Sequence, residues 1–176
     1  MKSPLLIALT FPLFFAGNSI AQKPQVYDPT ANATNDITMA ASRAKAEKKF
    51  VLIQAGGNWC SWCLEFVRFA KATPSVDSVL SKNFIWYHLN YSKENKNPEA
   101  FARYGYPQRF GFPVFIIVDG EGNRIHTQNS AYLEDGGKSY DAKKVVEFLA
   151  MWSPDALQPE QYLEKQPAKA EKPIKN

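Results

Sequence analysis

The chain holds two cysteines, three residues apart in Trp59-Cys60-Ser61-Trp62-Cys63. The apolar run Phe50-Val51-Leu52-Ile53 stands just before them. A buried strand leading into a Cys-x-x-Cys that opens a helix is an arrangement that makes a reactive dithiol. A helix start presents unpaired N–H groups and partial positive charge. A thiolate placed there is stabilised, so its pKa falls below the value of about 8.5 for free cysteine. The i, i+3 spacing keeps both sulfurs on one helical face, within reach of a small disulfide ring.

Other chemistries for a cysteine pair fit less well. Half a zinc site needs two further ligands. The only histidines are His88 and His126, and neither stands at finger spacing. His88 lies inside an apolar run and reads as a satisfied core or strand-end histidine; His126 reads as part of a solvated hairpin strand. Covalent haem attachment needs histidine after the second cysteine, where this chain has Leu64. A purely structural disulfide would close a tiny loop and add little stability.

The elements that must hold this pair can be read from period and punctuation. Asp36 can cap a helix running to about Lys49, with Ile37, Ala40, Ala41 and Ala44 as its apolar face. Phe50 to Ala55 reads as a strand buried on both faces. Gly56-Gly57 turns into the cysteine helix, which should run from Cys60 to about Ala72 and stop before Pro74. A short helix is expected around Val76 to Leu80. Phe84 to Asn90 reads as a strand, and Pro98 to Tyr104 as a helix with proline in its first turn. Val114-Phe115-Ile116-Ile117-Val118 is the strongest strand signal. Asp119 to Asn123 is a hairpin connection, and Arg124 to about Gln128 is the returning strand. Asp141 to Trp152 is a terminal amphipathic helix that buries Val145, Val146, Phe148, Leu149 and Trp152. Phe66, Phe69, Phe84, Trp86 and Phe115 read as core aromatics. Tyr104, Tyr106, Arg109, Phe110 and Phe112 crowd one loop, either as packing or as a substrate-facing rim.

The two ends read differently from the middle. Lys2, the apolar segment 5–16 and Ser19-Ile20-Ala21 have the pattern of an export signal, with cleavage expected after Ala21. Removing 21 of 176 residues leaves 155, enough to bury a core without disulfide staples. Outside the cytosol a disulfide can persist. Loss of Lys2 lowers the formal charge from +4 to +3, and much of the remaining excess lies in the tail around Lys169, Lys172 and Lys175. Nucleic-acid binding is therefore not indicated. With no second long apolar segment, no stable membrane insertion is expected after cleavage. The division is 1–21 signal, 22–35 flexible leader, 36–153 one α/β domain, and 154–176 a polar tail rich in Pro and Lys, disordered beyond Gln166.

Element order sharpens this. Helix, strand, Cys-x-x-Cys helix, strand, helix, strand, strand, helix, with Gly111-Phe112-Pro113 just before the third strand, resembles the thioredoxin superfamily over residues 36–153. The likeness is to exported members with a Trp-Cys-x-x-Cys site. It implies a central mixed sheet of about four to five strands flanked by helices. It further implies that Cys60 is the exposed attacking thiolate and Cys63 the resolving thiol that breaks the mixed disulfide. Phe112-Pro113 would be cis and would set the Phe112 backbone beside the sulfurs to bind an extended substrate chain. Trp59 would cover the site, and Ser61 and Trp62 would tune potential and recognition. Three positions depart from the family pattern. Gln54 stands where thioredoxins carry a buried aspartate, Ser61-Trp62 replaces Gly-Pro, and Val114 replaces the usual threonine. These departures leave the direction of electron flow open.

The expected function is an exported thiol–disulfide oxidoreductase, periplasmic or secreted. Its partners would be protein thiols or disulfides and an upstream protein that resets the pair. It would need no metal or organic cofactor, since the Cys60–Cys63 disulfide is itself the redox group. Two alternatives belong to other classes: a non-enzymatic binding module that presents Trp62 and the Phe112 loop, and a carrier of a soft metal such as copper.

Overall fold

The computed structural model describes residues 25–163. The expected signal segment, its cleavage site and the tail beyond Gln166 lie outside the described residues.

Four strands form the sheet: β1 (Phe50–Gly56), β2 (Phe84–Asn90), β3 (Val114–Val118) and β4 (Arg124–Asn129). Their order is β2-β1-β3-β4. β1 pairs parallel with β2 and antiparallel with β3, and β3 pairs antiparallel with β4. The two central strands are buried on both faces, which is why they read as unbroken apolar runs.

Helices cover both faces of the sheet. On one, α1 (Ala33–Ala46) and α4 (Pro98–Arg103) pack Ile37, Ala41, Ala44 and Phe101 onto Val51, Ile53, Val114 and Ile116. On the other, α2 (Ser61–Ala72), α3 (Pro74–Asn83) and α5 (Ala142–Met151) pack Phe66, Leu80, Val145 and Leu149 onto Leu52, Phe115 and Ile117. Alternate residues of β1 and β3 therefore feed opposite layers, as the two-residue period of a strand requires.

The second strand, the third strand and the cysteine helix lie where their patterns put them. α3 is longer than expected, starting at Pro74 in its first turn. α1 starts earlier than Asp36. Asn32 is its N-cap, with its side chain accepting from Asn35 N–H at 3.1 Å, and Asp36 lies inside the first turn.

The leader expected to be flexible is held down in its described part. Tyr27 is fully buried, and Val26 N–H and Tyr27 N–H both donate to Asn58 Oδ1 at 3.1 Å. Asn58 Nδ2 donates back to Tyr27 O at 2.7 Å. A composition-based reading missed this because the contact partner is 31 residues away. His126 is also not a freely solvated residue: its ring stacks on Trp152 at 4.0 Å and 10°. No helix among the described residues is long and apolar enough to cross a membrane.

Candidate active site

β1 delivers the chain to Gly56, where Tyr91 N–H, just past β2, donates to Gly56 O at 2.6 Å. The link Gly57-Asn58-Trp59 then enters α2. Its glycine is needed for closeness: a β-carbon on Gly57 would collide with the Trp59 indole and sit 2.8 Å from Tyr91 O. The indole lies over that glycine and donates its N–H to Tyr91 O at 2.6 Å. Trp59 is nonetheless 60% exposed, a large apolar surface held in place beside the cysteines.

Cys60 is the N-cap of α2, and its Sγ accepts from Cys63 N–H at 3.2 Å. No acidic residue stands in the first turn of α2 to offset the positive helix end. Cys60 Sγ thus takes the position of a capping oxygen, where negative charge on sulfur is favoured. Cys60 and Cys63 are joined as a disulfide, with Cα atoms 5.2 Å apart.

Cys60 is less open than expected, only 6% exposed, because Tyr27, Trp62 and Phe112 pack around the pair. It is still the outer sulfur, since Cys63 is fully buried.

The other residues named from sequence lie around this pair. The Phe112–Pro113 peptide bond is cis. Phe112 packs against Trp59 edge-on at 5.6 Å and against Tyr91 at 5.0 Å. Pro113 is buried, and Ser61 is exposed at the start of α2. Trp62 meets Tyr140 edge-on at 5.5 Å, and the Tyr140 hydroxyl donates to Trp62 O at 3.0 Å. The crowded loop divides between its two readings: Tyr104 is buried as packing, while Tyr106 and Phe110 are exposed. Beside Trp59 a cleft of about 600 Å³ is lined by Asn58, Tyr91, Lys93, Glu94 and Lys96 among others.

Behind Cys63 the core turns polar. Gln54 is fully buried; its Nε2 donates to Cys63 O at 2.9 Å, while its Oε1 has no hydrogen-bond partner among the described residues. His88 is the neighbour of Gln54 across the β1–β2 pairing. Burial, and secondarily the Lys71 charge, push its imidazole down to about 4, so it is neutral near pH 7. The expectation of a satisfied histidine fails, because Nε2 has no partner among the described residues. The flanking aromatics Trp86 and Tyr27 occupy its surroundings, with ring centroids at 4.8 and 5.5 Å.

Sequence reasoning missed Tyr27, Asn58 and Tyr140 at this site. Tyr27 is the only aromatic residue between positions 22 and 49, and Asn58 directly precedes Trp59. Those were the available signals, but neither indicates a contact with the other.

With this geometry in view, the relatives can be placed. Residues 32–120, half of the chain, match the family described as Thioredoxin-like. The chain is 27% identical over 106 residues to the thiol:disulfide interchange protein DsbD of Salmonella typhi, covering 60% of this chain and 18% of that protein. It is 24% identical over 134 residues to the protein of the same name from Colwellia psychrerythraea, covering 67% of this chain and 21% of that one. The chain thus spans about a fifth of the length of these curated relatives. Among solved structures it resembles a disulphide isomerase from Xylella fastidiosa Temecula1, with TM-score 0.62, 23% identity, and coverage of 72% of this chain and 95% of that one. It also resembles the oxidised C-terminal domain of Neisseria meningitidis DsbD, with TM-score 0.52, 18% identity, and coverage of 69% and 97%. At these identities the structural likenesses establish the fold. Family match, strand order and the paired cysteines at the start of α2 agree: the chain belongs to the thioredoxin-like family.

Proposed function

We propose that this protein is an exported thiol–disulfide oxidoreductase, acting in a periplasm or outside the cell on thiols and disulfides of other proteins. The observation that carries the reading is Cys60 at the N-cap of α2, its sulfur accepting the Cys63 N–H, as the less buried residue of the pair. A thiolate at that atom attacks a substrate disulfide, forming a mixed disulfide at Cys60 and expelling one substrate thiolate. Cys63 then attacks Cys60 Sγ, the mixed disulfide breaks, and the substrate leaves with both electrons of the former dithiol. The reverse sequence oxidises a substrate dithiol. No metal or organic cofactor takes part; the cysteine pair carries the electrons.

Trp59, Ser61, Trp62 and Phe112 form the rim that meets the substrate, and buried Pro113 sets the Phe112 backbone behind it. Exposed Trp59 and the adjoining cleft suit an extended chain with an apolar side chain near its cysteine. An upstream protein that exchanges disulfides with Cys60 resets the pair. The relatives named for disulfide interchange and isomerisation support the same chemistry.

The test is a protein-disulfide reduction assay with both single variants. Cys60→Ser should abolish turnover. Cys63→Ser should accumulate mixed disulfides that thiol reductant releases. Wild-type turnover by Cys60→Ser would overturn the reading, leaving the pair as a static brace in a binding module.

A further inference from the structure

We propose that Tyr27 is a positioning residue for the resolving step: once the disulfide opens, its hydroxyl donates a hydrogen bond to Cys63 Sγ and holds that sulfur as a thiolate. The inference rests on the thiol–disulfide reading above.

The first ground is geometric. Tyr27 is fully buried and packs in one cluster with Cys60 and Cys63. Its hydroxyl and the inner sulfur border one position, that of a β-carbon on Gly56. A β-carbon there would lie 3.0 Å from the Tyr27 hydroxyl and would collide with Cys63 Sγ. Hydroxyl and sulfur therefore border the same point beside β1, and only glycine leaves it clear.

The second ground is an unused donor. In the disulfide form the Tyr27 hydroxyl has no hydrogen-bond partner of ordinary geometry among the described residues, although Gln54 lies close enough to influence it. A buried hydroxyl without a partner costs free energy. Reduction changes one atom in this neighbourhood into a strong acceptor, namely Cys63 Sγ. Burial pushes the Tyr27 phenol up, well beyond its ordinary range, so it stays a donor and does not ionise.

The third ground is the missing base. Gln54 is the fully buried polar side chain bonded to the Cys63 backbone, and an amide cannot take the Cys63 proton. A neutral phenol supplies a different remedy, lowering the cost of the thiolate without accepting a proton. In the resolving step Cys63–SH gives its proton to water, and the thiolate attacks Cys60 Sγ. The Cys60–Cys63 bond forms as the Cys60–substrate bond breaks, and the departing substrate thiolate takes up a proton. The Tyr27 proton stays on Tyr27 throughout.

The other titratable groups around this pocket are few. His88 from β2 meets the Tyr27 ring and is neutral near pH 7; Lys71 at the end of α2 acts on His88. Tyr140, ahead of α5, is held in its neutral form by burial, and its hydroxyl is spent on Trp62 O. Cys60 is the remaining group. None of these supplies a carboxylate to Cys63.

The experiment uses Cys60→Ser protein, in which Cys63 is the lone thiol, and follows the Cys63 ¹³Cβ shift against pH with and without Tyr27→Phe. The phenylalanine keeps the ring and removes the donor. Its Cys63 midpoint should rise by about one pH unit, a ten-fold loss of thiolate below the midpoint, the scale of one charge-assisted hydrogen bond. In the two-cysteine protein, the same change should slow mixed-disulfide resolution about ten-fold near neutral pH, with the rates converging in alkali. Coincident Cys63 midpoints would overturn the proposal. Should Tyr27→Phe fail to fold, the Tyr27 ¹³Cζ shift in the Cys60→Ser protein decides: it should titrate with the Cys63 midpoint, and a flat response overturns the proposal. The titration needs no substrate, so it still reads Tyr27 if the protein proves to have no exchange activity.

Discussion

The two faces of the sheet are built from the same strands but end differently. Under α1 and α4 the face is apolar along its length, from Val51 through Ile53 and Ala55 to Leu89, Val114 and Ile116. Under α2, α3 and α5 it starts the same way, with Leu52, Phe115 and Ile117, and then meets Gln54 and His88 where β1 and β2 approach the cysteines. The first face carries a partnerless polar atom among the described residues, the Tyr104 hydroxyl, and it lies outside the cluster that holds the cysteines. The second has to carry buried polar atoms next to a group that changes charge. Gln54 Oε1, His88 Nε2 and the Tyr27 hydroxyl all lack partners in the disulfide state, among the described residues. Buried polar groups are ordinarily hydrogen-bonded, and clusters of exceptions concentrate at functional sites. The comparison teaches that the cysteine helix takes its place from packing shared by both faces, while its chemistry is shaped by one.

The largest effect that could break this contrast comes from truncating one core residue on each side. Ile53→Ala and Phe66→Ala should both destabilise strongly, by about 2–5 and 3–5 kcal/mol in denaturant unfolding. Phe66 packs on Trp86, Phe115 and Tyr140, one turn beyond Cys63. Only Phe66→Ala should therefore also speed alkylation of Cys63 in the reduced, still folded protein. Equal acceleration by Ile53→Ala would erase the difference between the faces.

Next comes the clamp that brings Tyr27 to the polar end. Asn58→Ala removes three hydrogen bonds to the Val26-Tyr27 backbone, and should cost about 2–3 kcal/mol. It should also open the segment around Gln25 to limited proteolysis while α1 stays protected. Unchanged cleavage would mean that burial of the Tyr27 ring alone holds this segment.

The smallest effect is acidic. His88 titrates at about 4 in the folded protein and near 6.5 when unfolded. A depressed histidine pKa means that the unfolded chain binds the proton first, so stability falls as pH drops from about 6.5 to about 4 and then levels. Allowing for partial solvent access, the loss is on the order of 2 kcal/mol. His88→Phe should flatten that limb of the stability–pH curve. A slope that persists between about pH 6.5 and 5 would show that His88 is not its source, because a carboxylate such as Glu65, held low chiefly by its bond to Arg68, loses its contribution only below its ordinary range.

Read by itself, the sequence determined the local elements and the cysteine pair. Unbroken apolar runs specify β1 and β3, an apolar and aromatic run specifies β2, and the helical period specifies α5, because each kind of burial leaves its own mark along the chain. Cys-x-x-Cys after an apolar strand and before a helix specifies where the sulfurs sit, since three residues of helix is a fixed distance. The α1 start was misplaced because Asn32 and Asp36 are both good caps, and local chemistry does not choose between them. What only the tertiary structure decided is the company those sulfurs keep. The hold of Asn58 on Tyr27 spans 31 residues, the meeting of Gln54 and His88 depends on the register of two strands, and Tyr140 reaches Trp62 from 78 residues away. Such contacts have no period and no spacing rule. They exist because folding brings distant side chains into one low-dielectric space, and there their polar atoms act on one another and on the sulfur between them.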